Sequence, residues 1–260
     1  MDIETIHHYG DELHAALAAR TPVAPLTERA PDITIDDAYR IQLRMLSHRL
    51  AAGERVIGKK IGVTSKVVMD MLNVDQPDFG HLLSGMVASE GEPIPVSSLI
   101  APKAEAEVAF VLKRDLVGPG VTALDVLRAT DFVVPCFEIV DSRIRDWKIR
   151  IQDTIADNAS CGLLVLGGTR RDPRELDLAL AGMVLEKNGE IVSTSTGAAV
   201  QGSPLNAVAW LANTLGALGI PLAAGEVILS GSQSPLVPVA AGDSFLCSVG
   251  GLGSARVRFV

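Results

Sequence analysis

The sequence has few of the features that mark secreted, membrane-spanning or nucleic-acid-binding proteins. Its three cysteines, Cys136, Cys161 and Cys247, are odd in number and contain no Cys-x-x-Cys pair, which excludes a disulfide framework and argues against a zinc site. No apolar run approaches the ~20 residues of a membrane span. Acidic residues outnumber basic ones by 31 to 23, and the formal charge of -8 disfavours binding to nucleic acid.

Targeting and nucleotide-binding motifs are absent as well. The chain begins with acids and histidines, where a signal peptide needs a basic region followed by an apolar run. It has no GxGxxG, no Walker loop, no GxSxG and no HExxH, which weakens dinucleotide, nucleoside triphosphate, α/β-hydrolase and zinc-protease interpretations. We therefore expect a soluble, cytoplasmic protein with reduced cysteines.

The hydrophobic fraction of 48% can bury a core large enough to offset chain entropy. Over residues 1–54, apolar residues such as Ile6, Leu13, Ile41 and Met45 recur at helical spacing. From residue 55 onward, short strand-like runs alternate with glycine and proline. This pattern predicts an N-terminal helical segment over 1–54 and a β-rich α+β domain over 55–260.

Within the second part, most segments have recognisable limits. A helix over SPLNAVAWLANTLGALG begins at the cap Ser203, and Asn188-Gly189 predicts a tight hairpin turn. A short helix is expected over SKVVMDML, capped by Ser65. The segments VDQPDFGHLL and TIADNAS are expected to be turn-like, with His81 in a loop. The main expected strands are RVIGKKIGV, KAEAEVAFVL, DFVVPCFEIV and CGLLVLG.

Three glutamates indicate a metal site. Glu105 and Glu107 are two residues apart in a strand, so both carboxylates leave the same face, ~6.6 Å apart. Glu138 lies in a second apolar strand, where an unpaired charge is costly. A divalent cation would relieve their repulsion, and oxygen ligands without histidine or cysteine favour Mg²⁺ or Mn²⁺. The alternative is that Glu105 and Glu107 form the solvated face of an edge strand.

Lys60 is a candidate for the chemistry because it follows Lys59 in a strand, and neighbouring side chains in a strand face opposite ways. One lysine can therefore point inward, where it would stabilise a substrate carboxylate or enolate or transfer a proton. The alternative is two solvated lysines on an edge strand. Asp78 and Asp157 lie in turn-like segments, and on pattern alone such residues are more often turn formers than catalysts.

Four segments, taken together, resemble the fumarylacetoacetate hydrolase superfamily, and within it the 2-keto-4-pentenoate (2-hydroxypenta-2,4-dienoate) hydratase branch. The resemblance runs from about Lys59 to the C-terminus. It implies a mixed β-roll with flanking helices and an oligomeric protein. The segments are GKKIGVTSKVVMDMLNVDQPDFGHLL, PKAEAEVAFVLKRDLVGPGVT, PCFEIVDSRIRDWKIRIQDTIADNAS and AGDSFLCSVGGLGSARVRF.

The resemblance also implies roles for individual residues of this chain. The metal-ligand positions of the family fall on the three glutamates already found from their spacing, and its strand lysine falls on Lys60. The aspartate of its PDFG segment falls on Asp78, for which we expect a role in positioning water or taking its proton. Ser160 in ADNAS and Leu83 in GHLL are implied to contact the substrate.

The implied activity is the metal-dependent hydration of 2-hydroxypenta-2,4-dienoate to 4-hydroxy-2-oxopentanoate in meta-cleavage catabolism of aromatic compounds. A homo-oligomer is implied, with a possible complex with a decarboxylase or aldolase of the same pathway. One alternative is 4-oxalocrotonate decarboxylase, whose diacid needs a further cation such as Arg143 or Arg145. Hydrolysis of acylpyruvates needs a histidine–glutamate pair, for which His81 lacks an evident partner. A non-catalytic partner subunit is the remaining alternative.

Overall fold

The computed structural model describes residues 1–65, 69–70 and 74–260. The helix expected over SKVVMDML falls mostly outside these ranges. The α-helices are α1 Ile3–Ala19, α2 Leu26–Arg29, α3 Ile35–Ala51, α4 Ala123–Ala129, α5 Ile151–Ala156 and α6 Pro204–Gly216. The β-strands are β1 Val56–Gly62, β2 Asp78–Leu83, β3 Val87–Ala88, β4 Lys103–Leu112, β5 Thr130–Val140, β6 Cys161–Leu166, β7 Gly182–Lys187, β8 Glu190–Thr196, β9 Val227–Leu229, β10 Val237–Pro238, β11 Ser244–Val249 and β12 Gly253–Arg258.

The strands form two sheets. The larger one has the order β2-β1-β9-β4-β5-β6-β3, with β10 paired to β4, and it mixes parallel and antiparallel neighbours. The smaller one is antiparallel, in the order β12-β11-β7-β8. In the larger sheet β2, at one edge, contacts β6 near the other edge, so the sheet curls into a half-barrel. The predicted mixed β-roll of an α+β protein is therefore confirmed.

The two faces of the curled sheet bury different sets of side chains. The outer face presents apolar residues such as Ala106, Val108 and Phe110, which belong to one cluster with α6 and the smaller sheet. The inner face carries a smaller apolar cluster that includes Cys136, Leu164 and the side chains around them. Alternation along each strand therefore separates the main core from the interior of the half-barrel, where the charged residues lie.

The N-terminal helices begin at side-chain caps. Asp2 accepts a hydrogen bond from the Thr5 amide at the start of α1, and Thr34 and Asp37 form a reciprocal capping box at the start of α3. The apolar stripes of α1 and α3 pack together with Ile151 and Ile155 of α5. The two N-terminal helices predicted from periodicity are thus present, and they pack on the part of the chain that leads into β6.

Two segments differ from their predicted turn-like form, and in one of them, TIADNAS, residues 154–156 are the end of helix α5. The residues Asp78–Leu83 form strand β2 rather than a turn, and His81 lies within this strand rather than in a loop. The strand is short and follows a proline, so its own pattern is that of a turn. Its extended form comes from antiparallel pairing with β1, in which Gly62 opposes Asp78 and Lys59 opposes His81.

Candidate metal and active site

The strand registers place three carboxylates on the inner face of the half-barrel. Glu105 on β4 lies directly opposite Glu138 on β5, and Glu107 lies opposite Cys136. Opposite residues in an antiparallel pair share a face, so all three glutamates point into the same interior. Each contributes one carboxylate oxygen to a group whose members lie within 4.8 Å of one another. The geometry can hold one divalent ion, and the alternative of a solvated face formed by Glu105 and Glu107 is wrong for Glu107, which is buried.

The acids are poorly satisfied by the protein itself. Among the described residues, neither buried oxygen of Glu138 accepts a hydrogen bond of normal geometry, whereas Glu107 Oε2 accepts one from the Gly231 amide at 2.9 Å. Burial and the nearby Glu138 raise the pKa of Glu105 to about 7 and raise that of Glu107 well above its usual range. Without a cation, the cluster retains protons near neutral pH.

Lys60 and Asp78 complete the charged interior. Lys60 Nζ lies 3.2 Å from Glu138 Oε1 and only 4% of its side chain is exposed. Burial opposes its charge, but Glu138 and Asp78 outweigh burial and raise the pKa of Lys60, so it remains an ammonium. Burial raises the pKa of Asp78, which Lys60 partly opposes. A Cβ on Gly62 would lie 2.2 Å from Asp78 Oδ1 and 3.3 Å from Lys60 Nζ, so glycine leaves room for both groups.

The neighbouring lysine has a separate partner on the opposite side of β1. Lys59 is also buried and pairs with Glu226. The expectation that one of the two lysines points inward holds for Lys60, which faces the acids, and Lys59 is buried as well. The alternative of two solvated lysines on an edge strand is wrong, because both lysines are buried.

His81 is held by an amide. Gln42 on α3 donates from Nε2 to the carbonyls of Phe79 and Ile155, so its Oε1 faces His81 Nδ1 at 3.0 Å. The imidazole therefore carries its proton on Nδ1. Burial, with a contribution from Lys59, lowers the pKa of His81 to about 4. His81 is thus a neutral structural group with an amide partner, which removes the basis for a histidine–glutamate hydrolase.

The two predicted substrate-binding residues are buried near this interior. Ser160 directly precedes β6, and its Oγ lies 3.2 Å from Thr154 Oγ1. Leu83 ends β2 and packs in the inner apolar cluster with Cys161 and Leu164. The structure brings together the five predicted charged residues of the site, Glu105, Glu107, Glu138, Lys60 and Asp78. Ser160 and Leu83 lie among the buried side chains around this charged group.

Arg143 was expected to be an exposed arginine or a cation for a second substrate carboxylate. It is instead 1% exposed, and its guanidinium pairs with Asp157 and donates to the carbonyls of Asp141 and Cys161. Arg143 therefore stabilises the backbone around the start of β6. Arg145 is exposed in a short 3-10 turn. The sequence has no local signal for the Arg143–Asp157 pair, whose members are separated by helix α5.

Some polar groups of the site were missed by sequence reasoning. The segment after β9 supplies the Gly231 amide to Glu107, and Ser232 in the same segment opposes the rise in the pKa of Glu105. Gly231 has φ +108, and a Cβ there would lie 2.4 Å from the Thr64 side chain. The available signal was the SGSQS composition after an apolar strand, which is typical of a backbone turned toward a polar site.

Comparison with known families agrees with this architecture. The fumarylacetoacetate (FAA) hydrolase C-terminal family matches residues 59–260. The chain belongs to the fumarylacetoacetate hydrolase family. It is 58% identical over 260 residues to a 2-hydroxyhexa-2,4-dienoate hydratase of Comamonas testosteroni, covering 99% of this chain and 98% of that protein. It is 63% identical over 221 residues to a 2-hydroxypent-2,4-dienoate hydratase of Pseudomonas putida, covering 85% of this chain and 100% of that protein.

Among solved structures of the fumarylacetoacetate hydrolase family, 4-oxalocrotonate decarboxylase from Pseudomonas putida G7, complexed with magnesium and adipate, superposes with a TM-score of 0.97. It is 36% identical and covers 100% of this chain and 99% of that one. The chain is thus similar both to proteins named as hydratases and to a protein named as a decarboxylase. Within the described residues, none of the helices combines the length and hydrophobicity required to cross a membrane.

Proposed function

We propose that this chain is a divalent-metal-dependent hydro-lyase that converts 2-hydroxypenta-2,4-dienoate to 4-hydroxy-2-oxopentanoate. The observation that carries the proposal is the buried group of Glu105, Glu107 and Glu138, within 4.8 Å of one another and beside the ammonium of Lys60. The identities of 58% and 63% to two dienoate hydratases support the same reaction.

The three glutamates are the proposed ligands of Mg²⁺ or Mn²⁺. Their donor set is all oxygen, which suits hard cations. Glu138 has two buried oxygens without normal hydrogen bonds among the described groups, an arrangement that a cation would satisfy. When bound, the ion supplies positive charge beside the substrate carboxylate and polarises the C2 oxygen.

Lys60 is proposed to stabilise the negative charge that forms on the C2 oxygen when the dienol loses its hydroxyl proton. Its ammonium is fixed by Glu138 and stays charged because its pKa is raised. A fixed buried cation stabilises a developing oxyanion more than solvent does, because it needs no reorganisation. Transfer of that hydroxyl proton to C5 then gives the conjugated 2-oxo-3-enoate.

Asp78 is the proposed base for the second half of the reaction. Its Oδ1 is buried without a hydrogen-bond partner among the described residues, and burial raises its pKa, which makes the carboxylate a stronger base. Asp78 orients a water molecule and takes its proton as the water oxygen bonds to C4, while C3 gains a proton. The net change is addition of one water to the dienoate.

Ser160 and Leu83 are proposed to bind the substrate. The backbone and hydroxyl of Ser160 lie at the start of β6, next to the strand that carries Glu138. Leu83 is fully buried in the inner apolar cluster and offers an apolar wall for the hydrocarbon end of the dienoate.

Decarboxylation of 4-oxalocrotonate is the second candidate, favoured by the TM-score of 0.97 to that enzyme. A diacid substrate needs a cation for its second carboxylate. The buried basic residues of the described chain are Lys59, Lys60 and Arg143, and each already pairs with a carboxylate of the protein. This pairing favours a substrate with one carboxylate, and hence hydration.

The test is a direct comparison of two substrates with the purified, Mn²⁺-loaded protein. We expect loss of the dienoate absorbance with 4-hydroxy-2-oxopentanoate identified by NMR, and no CO₂ from 2-oxohex-3-enedioate. Release of CO₂ without hydration would establish the decarboxylase instead. Failure to turn over either compound would contradict both, and would favour a non-catalytic partner subunit.

We also infer the setting in which the protein works. The three cysteines are free and buried, as expected in a reducing cytoplasm. We propose a cytoplasmic homo-oligomer that takes a small dienoate, with a decarboxylase or aldolase of aromatic catabolism as a possible partner. Within each chain, residues 1–54 are proposed as a helical segment appended to the catalytic domain 55–260.

A further inference from the structure

We propose that Asn158 is a positioning residue that closes the half-barrel and thereby sets the distance between the Lys60–Asp78 pair and the three glutamates. The Asn158 side chain bonds to the backbone of the facing edge strand β2. This inference rests on the proposed function for its kinetic readout, but the geometry that carries it is independent of the substrate.

The first observation is a bridge made by a side chain. The His81 amide donates to Asn158 Oδ1 at 2.8 Å, and Asn158 Nδ2 donates to the His81 carbonyl at 2.9 Å. These are the two bonds that a neighbouring strand would make. β2 is the edge strand of the larger sheet, so the Asn158 amide occupies the place of a further strand there.

The second observation is the close approach of the two backbones. A Cβ on Gly80 would lie 2.5 Å from the carbonyl oxygen of Asn158 and 3.1 Å from its Oδ1. Only glycine at position 80 permits this contact without displacement. The glycine and the asparagine therefore act together to bring β2 against the segment that begins β6.

The third observation is that the segment is held in an unfavourable backbone form. Asn158, Ala159 and Ser160 have φ values of 54°, 49° and 54°, a left-handed run that costs free energy for residues other than glycine. The Arg143–Asp157 pair and the bonds from Arg143 to backbone carbonyls stabilise it. Because these contacts hold the backbone of the segment in place, they also fix the position of the Asn158 side-chain amide.

The consequence follows from the strand order. Lys60 on β1 and Glu138 on β5 are separated by β9 and β4, and β9 pairs with each neighbour over only three residues. Their 3.2 Å contact therefore depends on how tightly the sheet curls. The side-chain bonds of Asn158 connect β2, which lies next to the Lys60 strand, to the segment before β6, which lies next to the Glu138 strand. They therefore set how tightly the sheet curls.

The test compares Asn158→Gly with Asn188→Gly. Both asparagines have φ near +55° and form hydrogen bonds through the donor and the acceptor of the side-chain amide, but Asn188 lies in the β7–β8 turn, where its partners are Asp243 and Ser244. We expect Asn158→Gly to lower kcat by ~10- to 100-fold, as for small misplacements of catalytic groups. Its Mn²⁺ affinity, measured by calorimetry, should stay at the wild-type value because β4 and β5 carry the ligands. Asn188→Gly should keep the wild-type kcat.

Several outcomes would overturn the inference. The first is a wild-type kcat in Asn158→Gly. The second is an equal loss of kcat in Asn158→Gly and Asn188→Gly, in proportion to the decrease in the melting temperature of each variant. If Asn158→Gly does not fold, Asn158→Asp decides by the same criteria, because it keeps the acceptor for His81 and loses the donor. A wild-type kcat in that variant also overturns the inference.

A crystal structure of the variant separates this inference from the proposed function. The Lys60 Nζ to Glu138 Oε1 distance should exceed 3.2 Å in Asn158→Gly. An unchanged distance contradicts the positioning role whatever the substrate is. If the wild-type protein does not turn over the dienoate, only the proposed function is contradicted. The positioning role of Asn158 is then tested by the distance between Lys60 Nζ and Glu138 Oε1 in the variant.

Discussion

At the scale of single residues, Glu107 offers a direct test of the metal site. It is 1% exposed and one of its oxygens is already bonded to the Gly231 amide. Glu107→Gln keeps the volume and that acceptor but removes the charge, so the fold should persist while metal-dependent turnover falls by ~100-fold or more. Dienoate assays across a Mn²⁺ titration, with circular dichroism, measure both effects.

The matched control for this change is Glu190→Gln, because Glu190 is exposed at the start of β8 in the smaller sheet. It should change neither metal affinity nor activity. Retention of activity by Glu107→Gln, or by the wild-type protein after exhaustive chelation, would contradict the metal role.

The two adjacent buried lysines provide a second residue-scale test. Lys60→Met removes the ammonium from the acid group and should lower kcat by ~10²- to 10⁴-fold, the range for loss of a charge-stabilising or proton-transferring group. Lys59→Met breaks a comparable buried pair with Glu226 and should cost stability but little activity. Steady-state kinetics and thermal melts of both variants make the comparison. Similar kcat losses in the two variants would show that burial, not position, explains the effect.

The sequence of a strand predicts the face to which each side chain points better than it predicts the residue with which that side chain pairs. The period of two in KAEAEVAFVL correctly placed Glu105 and Glu107 on one face, because pleating is a local property. The burial of Lys59 and Arg143 was not predictable, because each depends on a partner distant in sequence, Glu226 or Asp157. The role of Asn158 was missed for the same reason, since His81 lies 77 residues away.

At the scale of elements, helices with their own caps and strands with a clear apolar pattern were predicted, whereas a short strand without such a pattern was missed. Ser203 begins α6 and Thr122 begins α4, as their sequences indicate. β2 was missed because its six residues become extended only by pairing with β1. The division of the chain at residues 54 and 55 stays a prediction.

The cap of α3 gives an element-scale prediction. Thr34 accepts from the Asp37 amide, and Asp37 accepts from the Thr34 amide and hydroxyl. Thr34→Ala should lower the free energy of unfolding by ~1 kcal/mol, and the melting temperature by ~2–4 °C. Activity at 25 °C should be unchanged, because α3 carries none of the proposed metal-binding, catalytic or substrate-binding residues. Thr21→Ala, at an exposed hydroxyl, is the control, and a similar shift in both variants would contradict the capping role.

At the scale of the whole molecule, the curled sheet buries acids from β2, β4 and β5 in one interior. Each carboxylate is costly there without a cation, and Lys60 supplies a single positive charge near Glu105, Glu107, Glu138 and Asp78. Without a metal, the fold therefore either keeps protons on these acids or buries excess negative charge in its centre. Metal binding is expected to stabilise the fold as well as to serve catalysis.

This imbalance predicts an unusual pH dependence of stability. The pKa of Glu105 is raised to about 7 by burial and by Glu138, whereas the unfolded chain has the ordinary value near 4.5. The folded state thus binds more protons between these values, so this contribution to stability is present at low pH and is lost as pH rises through 7. In a chelator, the melting temperature should fall as pH rises from about 4.5 to about 7, and saturating Mn²⁺ should abolish the fall because it replaces the protons.

Histidines act in the opposite direction, since burial lowers the pKa of His14 and of His81. Their contribution rises with pH and would mask part of the effect below pH 6.5. The decisive comparison is therefore with Glu105→Gln, which keeps both histidines and removes the titrating carboxyl. Without metal, its melting temperature should fall less steeply with pH than that of the wild type. Equal slopes for the two proteins would mean that Glu105 is ionised without a cation, and that the cluster is not held together by shared protons.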